Sequence, residues 1–112
     1  MPIENWAENV LLVELADDPQ FTDDLNSLLE TLEKQSDQDV VLNFQAVTFL
    51  NSSNIAKLLK LRKIQVVNHQ RKLKLCAINT HVWGVFLVTG LDKIFEVYDD
   101  VATGLASLQV DG

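Results

Sequence analysis

Two serines lie side by side between two asparagines in FLNSSNIAKLL, residues 49–59. The stretch follows an apolar run and precedes a helical pattern, so one of these serines stands at or next to a helix start. A hydroxyl there points toward unpaired backbone amides and the positive end of the helix dipole, where a phosphate would be stabilised. Two interpretations stay open: Ser52 or Ser53 simply caps the helix, which is worth about 1 kcal/mol, or one of them is a phosphorylation switch.

Other kinds of chemistry lack the residues they need. The glycines are isolated and do not form a phosphate-binding loop. A zinc site needs three or four ligands, whereas His69, His81 and Cys76 fall on three different predicted elements. A hydrolase using Ser53 or Cys76 would need a base and an oxyanion loop, and neither is legible in the sequence. We therefore predict a protein that is not an enzyme, with no catalytic residue, no metal and no cofactor.

The charges are unevenly distributed along the chain. The net charge is −7, and eleven of the sixteen acids lie at or before Asp39, whereas seven of the nine cations fall between Lys57 and Lys74. An acidic protein repels phosphate backbones, so we predict no nucleic-acid partner. The basic middle is either the solvated faces of one helix and one strand end or an electrostatic docking patch.

Strands and helices are predicted to alternate along the chain. Parallel pairing through right-handed crossovers follows, which gives a small α/β layer structure. The predicted strands cover 10–15, 40–44, 72–78 and 94–98, and the predicted helices cover Thr22 to Lys34, Ser53 or Asn54 to about His69, Thr80 to about residue 88, and 99–109.

Two segments carry a resemblance to a known family. VVLNFQAVTFLNSSNIAKLLKL resembles the signature of STAS domains, the anti-sigma-factor antagonist family, and VTGLDKIFEVYDDVATGLASL is similar to that family's C-terminal pattern. The resemblance covers residues 10–108. It implies a single STAS-like α/β domain over residues 1–112, with a core of about 9–109, four to five mostly parallel strands and about four helices packed on the sheet.

The resemblance also implies a function. Antagonists of this family are non-enzymatic modules that bind an anti-sigma factor with serine kinase activity, and the serine matching Ser53 is phosphorylated. Asn51, Ser52 and Asn54 would belong to the docking surface. The family's Asp and Gly are replaced here by Asn51 and Asn54, which favours an alternative: a constitutive scaffold in a stressosome-like or lipid-transport complex, without phosphorylation. A homodimer is compatible with either function.

The helix after Ser53 offers an independent indication of docking. At about 100° per residue, Ile55, Leu58, Leu59 and Val66 form one arc that suits the sheet. The opposite side mixes apolar and basic residues. It is either a partner-binding face or a face covered by neighbouring loops, and it consists of Lys57, Lys60, Leu61 and Ile64.

Cellular location follows from what the N-terminus and composition lack. MPIENWAENV has neither the basic start nor the apolar block of a secretory signal, and no apolar stretch reaches the roughly 18–20 residues that span a bilayer. The single cysteine, Cys76, cannot form an internal disulfide. We predict a cytoplasmic protein that is not inserted in a membrane.

Overall fold

The computed structural model describes residues 3–110, so the outermost two residues at each end of the predicted domain lie outside the described range. Helix α2 continues directly into a π-helical segment, Lys63–Asn68, and a 3₁₀ turn, Leu91–Lys93, precedes the last strand. The strands are β1 (Ile3–Ala7), β2 (Val10–Ala16), β3 (Asp39–Ala46), β4 (Leu73–Cys76) and β5 (Glu96–Tyr98), and the helices are α1 (Gln20–Lys34), α2 (Ser52–Arg62), α3 (Thr80–Thr89) and α4 (Val101–Val110).

The five strands form one sheet in the order β1-β2-β3-β4-β5. β1 pairs antiparallel with β2, and every later pair is parallel. This confirms the predicted class of a small, mostly parallel α/β domain. β1 was not predicted, because apart from the half-buried Ile3 its residues are exposed and show no alternation of apolar and polar side chains.

The two faces of the sheet are covered unequally. Alternate residues of a strand point to opposite faces, so Leu11, Val13 and Leu15 face one side of β2 and Leu12 faces the other. Helices α1, α2 and α3 bury the larger core on the first face. Helix α4 alone packs on the second face, over a small cluster formed by Leu12, Val41 and Cys76.

Gly104 sets the distance between α4 and the sheet. A Cβ atom at this position would lie 2.2 Å from the Cys76 Sγ atom, which is far inside van der Waals contact. Glycine therefore permits the close approach of the helix, and the helix in turn covers the sulfur. Burial raises the pKa of the Cys76 thiol to about 11, so this thiol stays protonated at neutral pH.

Several predicted helix starts are wrong by one or two residues. Helix α1 begins at Gln20, and the predicted cap, Thr22, lies inside its first turn. Helix α3 is capped by Asn79, whose side chain accepts from the Val82 amide at 2.9 Å, and the predicted cap, Thr80, is its first residue.

Strand lengths also differ from the prediction. β4 and β5 are shorter than the predicted 72–78 and 94–98. Ile94 ends the 3₁₀ turn before β5, and its amide donates to the Leu91 carbonyl at 3.2 Å.

Within residues 3–110, no helix is both long and apolar enough to cross a membrane.

Candidate functional site: the carboxyl edge of the sheet around Ser53

The loops that leave β2, β3 and β4 meet at the carboxyl edge of the sheet, where ligand and partner sites of parallel sheets commonly lie. β2 ends at Ala16 and β3 at Ala46, so the acidic pair Asp17 and Asp18 and the loop of residues 47–51 emerge side by side. Helix α2 begins at the end of that loop. The sheet thus positions Ser53 next to a turn more than 30 residues earlier in the chain.

A reciprocal pair of asparagines starts α2. The Asn51 Oδ1 atom accepts from the Asn54 amide at 2.8 Å, and the Asn54 Oδ1 atom accepts from the Asn51 amide at 3.1 Å. This is the geometry of a capping box, which satisfies amides that a helix start leaves unpaired. Asn54 is 2% exposed, so its side chain stabilises the helix start from inside the protein and is not part of the accessible surface.

Asp18 ties the β2–α1 turn to the same helix start. One carboxylate oxygen accepts from Asn54 Nδ2 at 3.0 Å and from Asn51 Nδ2 at 3.2 Å. The other accepts from the Thr22 hydroxyl at 2.7 Å and from the Thr22 amide at 3.0 Å. These hydrogen bonds, those from Thr22 and Asn54 foremost, lower the pKa of Asp18 to about 2, because each of them favours the ionised form.

Asp17 and Asn79 extend this polar network to the neighbouring loops. Asp17 accepts from the amide of Thr48 at 2.7 Å and from its hydroxyl at 2.5 Å, and these bonds, the side-chain one first, lower the pKa of Asp17. Asn79 Nδ2 donates to the Val47 carbonyl at 2.6 Å. The 47–51 loop is therefore fixed from both sides, by β2 and by the start of α3.

Ser52 and Ser53 occupy the first two positions of α2, and both are exposed. Within residues 3–110, neither hydroxyl makes a hydrogen bond, to a histidine or to any other residue. The predicted capping role of the serines is wrong, because Asn51 and Asn54 already provide the cap. The two hydroxyls are left facing solvent at the positive end of the helix dipole.

The predicted partner-binding face of α2 is divided by the structure. Leu61 is wholly buried in the core and cannot contact a partner, and Ile64 is half-buried and packs against the same core. Lys57 is partly covered, and its ammonium donates to Asn26 of α1 at 3.0 Å. Of the four residues only Lys60 is exposed, and Leu59, predicted to face the sheet, is 42% exposed.

The exposed stripe of α2 therefore runs along a different line. It begins at Ser53 and continues at helical spacing through Ala56, Lys60 and Lys63. Phe49, in the loop just before α2, is 47% exposed. The surface beside the serines still combines apolar and basic groups, with Leu59 and Phe49 as its large apolar side chains.

No local sequence pattern associates Asp17 and Asp18 with Ser53. Their one visible signal is position, since two carboxylates that directly follow a buried parallel strand emerge at the carboxyl edge. No group of three or more His, Cys, Asp or Glu in the described range could hold a metal ion. The edge is thus a rigid polar frame around two exposed hydroxyls.

Comparison with known proteins gives one family. The family model described as the STAS domain matches residues 16–104. A proposed anti-sigma factor antagonist from Thermotoga maritima, solved by crystallography, has a TM-score of 0.82 at 16% identity, with 96% of this chain and 93% of that chain covered.

Two further solved structures are similar to this chain. A chain from the molecular architecture of the stressosome, a signal integration and transduction hub, has a TM-score of 0.75 at 17% identity and covers 96% of both chains. The Bacillus cell fate determinant SpoIIAA in its phosphorylated form has a TM-score of 0.66 at 15% identity, over 90% of this chain and 93% of that chain. At these identities the likeness establishes the fold.

Proposed function

The chain belongs to the STAS domain family, and we propose that it is a non-enzymatic regulatory module that binds a protein partner through the surface around Ser53. The partner we propose is an anti-sigma factor with serine kinase activity, and phosphorylation of Ser53 would control the complex. The similarity to an anti-sigma factor antagonist and to a phosphorylated member of the fold supports this class. The cytoplasm, where sigma factors act, is the proposed location.

The exposure of Ser53 is the observation that carries the proposal. Its hydroxyl is not needed to start α2, because Asn51 and Asn54 cap the helix. A phosphate could therefore be added and removed without dismantling the helix start. A serine that capped the helix would instead lose a structural hydrogen bond on modification.

Electrostatics gives the phosphate two opposing effects. The helix N-terminus stabilises an added anion. Asp18 is already held at the same helix end by Asn54 Nδ2 at 3.0 Å, so a phosphate of about −2 charge would also meet a carboxylate. Phosphorylation would add charge to a patch that already holds the Asp18 carboxylate, make it strongly negative and leave the cap in place. A partner that packs on the neutral hydroxyl would then be repelled.

The proposed docking surface follows the exposed residues. Leu59 and Phe49 would provide apolar contact, and Lys60 would attract an acidic partner. Asn51, Ser52 and Ser53 would form its polar centre. Asn54 and Leu61 are buried and would support this surface without contacting the partner.

Intact mass measurement of the protein from its native cells, under phosphatase inhibition, tests the modification. Fragment mapping over residues 45–63 would place the added phosphate on Ser53. A protein that stays unmodified in both growing and stressed cells would contradict the switch.

Binding to the cognate anti-sigma kinase tests the surface. We expect Ser53→Asp to abolish binding and Ser53→Ala to retain it, since only the first adds charge at the helix start. Ser36→Asp is the matched control, because Ser36 is exposed in the loop that leads into β3 at the amino edge of the sheet, opposite the edge where α2 begins. Equal binding by Ser53→Asp, Ser36→Asp and wild type would reject Ser53 as the switch.

Constitutive binding in a larger complex is the alternative function. The rigid bonding of Asn51 and Asn54 to Asp18 favours it, because such a frame suits a surface that does not change state. The likeness to a stressosome chain points the same way, and a lipid-transport complex is the other candidate assembly. Native mass analysis distinguishes the functions: a large stable complex supports the scaffold, and a monomer or homodimer that exchanges partners supports the switch.

A further inference from the structure

A cleft of about 250 Å³ opens at the amino edge of the sheet, opposite the Ser53 surface. It lies where β4 and β5 begin and where α2 passes into the π-helical segment. None of the residues assigned to partner binding lines it. Any role of this cleft is therefore independent of the proposed function.

Three cations and one carboxylate line the cleft, namely Arg62, Arg71, Lys72 and Glu96. The carboxylate of Glu96 is paired with the buried ammonium of Lys74. Arg71 likewise faces a carboxylate, that of Asp39. The remaining two cations have no carboxylate partner among residues 3–110, so the cleft is positive in a protein of net charge −7.

The two arginines are held differently. Arg62 Nε donates to the Ile94 carbonyl at 3.1 Å, which fixes the guanidinium at the rim and leaves its two terminal amino groups for another acceptor. Arg71 Nε lies 3.1 Å from the Asp39 carboxylate but makes no hydrogen bond in good geometry. An oxyanion in the cleft could accept from the two terminal amino groups of Arg62, whose guanidinium is held in place. It would also meet the Arg71 guanidinium, which Asp39 satisfies only in part.

An apolar wall faces these cations. Leu73 and Phe95 form its buried floor, and Ile94 at the rim is 41% exposed. Gln70, on the loop that enters the cleft, has a φ of 57°, a left-handed conformation that is uncommon for residues other than glycine and often found at functional sites. Charge and apolar surface are thus combined in a single concavity.

We propose that this cleft binds a small organic oxyanion, a carboxylate or phosphate attached to an apolar body about the size of one ring. The volume is slightly below that of ordinary ligand pockets, which favours a small ligand. Arg62, Arg71 and Lys72 bind the head group, and Phe95 and Ile94 contact the apolar body. A neutral ligand would make no charged hydrogen bond with the guanidinium groups. An inorganic ion would leave the apolar wall exposed to water.

Amide NMR titration of the whole protein with phenyl phosphate tests the proposal. We expect saturable shifts at residues 62–73 and 94–96. Inorganic phosphate and phenol, the two halves of the probe, should each bind at least about tenfold more weakly, a difference of about 1.4 kcal/mol. The absence of saturation up to about 10 mM phenyl phosphate would overturn the site, as would shifts confined to residues 47–54.

Charge variants test the residues. Arg62→Gln should weaken phenyl phosphate binding about tenfold, and Lys72→Gln, at an exposed side chain that the fold does not need, should weaken it several-fold. Lys63→Gln is the matched control, because Lys63 follows Arg62 on an exposed part of the helix outside the cleft. Equal weakening by Lys63→Gln would reduce the effect to general charge and reject the site. A tetraglutamate peptide is the competitor that tests the ligand class. If it displaced phenyl phosphate at a concentration below that of phenyl phosphate, the preferred ligand would be an acidic peptide, and the proposal of a small organic ligand would be overturned.

Discussion

At the scale of single residues, Asn54 connects three parts of the chain. Its backbone amide donates to Asn51, its side-chain oxygen accepts from Asn51, and its side-chain nitrogen donates to Asp18. Glycine in its place would make none of the side-chain contacts. Ser52 and Ser53 are therefore not needed to cap the helix, and their hydroxyls are available to a partner or a modifying enzyme.

Alanine at Asn54 should lower the free energy of unfolding by about 1–2 kcal/mol, because a cap and a bond to a carboxylate are lost together. Ser52→Ala and Ser53→Ala, at exposed positions, should change it by no more than about 0.5 kcal/mol. Urea denaturation of the three variants measures this contrast. A serine variant as destabilised as Asn54→Ala would restore the serines as the cap.

Acid should weaken the hold of Asp18 on α2. The folded-state pKa of about 2 lies below the ordinary value of 3.8, so this carboxylate stabilises the fold above about pH 4. That contribution is lost as the pH falls from about 4 through 2. Asp18→Asn should thus have a lower urea midpoint than wild type at neutral pH, and the gap should narrow in acid. Glu33→Gln, at an exposed residue of α1, should show no such narrowing; a gap for Asp18→Asn that stays constant would refute the assignment.

At the scale of elements, α2 shows why a hydrophobic pattern can predict the wrong buried face of a helix. The buried stripe of α2 and the π-helical segment that continues it is Asn54, Leu58, Leu61 and Gln65, spaced by four, three and four residues. Two of these four positions are polar, so the apolar residues alone favoured a stripe through Leu59. Gln65 is wholly buried, and its side-chain nitrogen donates to two backbone carbonyls, at 2.6 and 2.8 Å.

Truncation of the two leucines distinguishes the two phases. Leu61→Ala should cost about 2–5 kcal/mol, because the side chain is wholly buried and leaves a cavity. Leu59→Ala should cost about 1 kcal/mol or less, since Leu59 is already 42% exposed. Thermal or urea unfolding of both variants provides the comparison. A larger loss for Leu59→Ala would mean that α2 is rotated relative to the sheet.

Two helical glycines are expected to respond in opposite directions to a methyl group. Gly104→Ala places Cβ 2.2 Å from the Cys76 sulfur, and the overpacking should destabilise the protein by about 1–3 kcal/mol. Gly84→Ala in α3 meets nothing within 4 Å and should gain up to about 1 kcal/mol from helix propensity.

A double-mutant cycle with Cys76→Ala then tests the cause of the Gly104→Ala loss. We expect Gly104→Ala to cost less when the sulfur is absent, because the clash is removed. Independent, additive effects of the two substitutions would show that α4 is displaced by something else.

At the scale of the whole molecule, the sequence predicted most of the sheet and little of the site. β-branched runs such as VVLNF revealed the buried parallel strands, and the helices between them predicted the layers. β1 was not predicted, because an exposed edge strand needs no alternation of apolar and polar residues. The contact from Asp18 to Asn54 spans 36 residues and depends on which loops the sheet brings together, so no local pattern could show it.

The basic middle of the chain is also explained only in three dimensions. Lys74 is buried beside Glu96 and Tyr98, and its ammonium lies 5.4 Å from the tyrosine ring centre. Arg71 faces Asp39. The acidic ends of the sequence thus neutralise part of its basic centre. Lys60 on α2 and Lys63 at the start of the π-helical segment are exposed, which agrees with solvated faces. The electrostatic docking patch stays a prediction.

The order of the strands has a consequence for how the protein is made. Each strand lies next to the one that precedes it in the chain, from β1 to β5. A chain leaving the ribosome could therefore add each new strand to an edge already formed, without waiting for a later segment to be inserted. Every closure spans only the segment between two successive strands, which keeps its entropic cost low. Helix α4, which follows β5 in the chain, would close the second face and cover the Cys76 sulfur only after all five strands have been made.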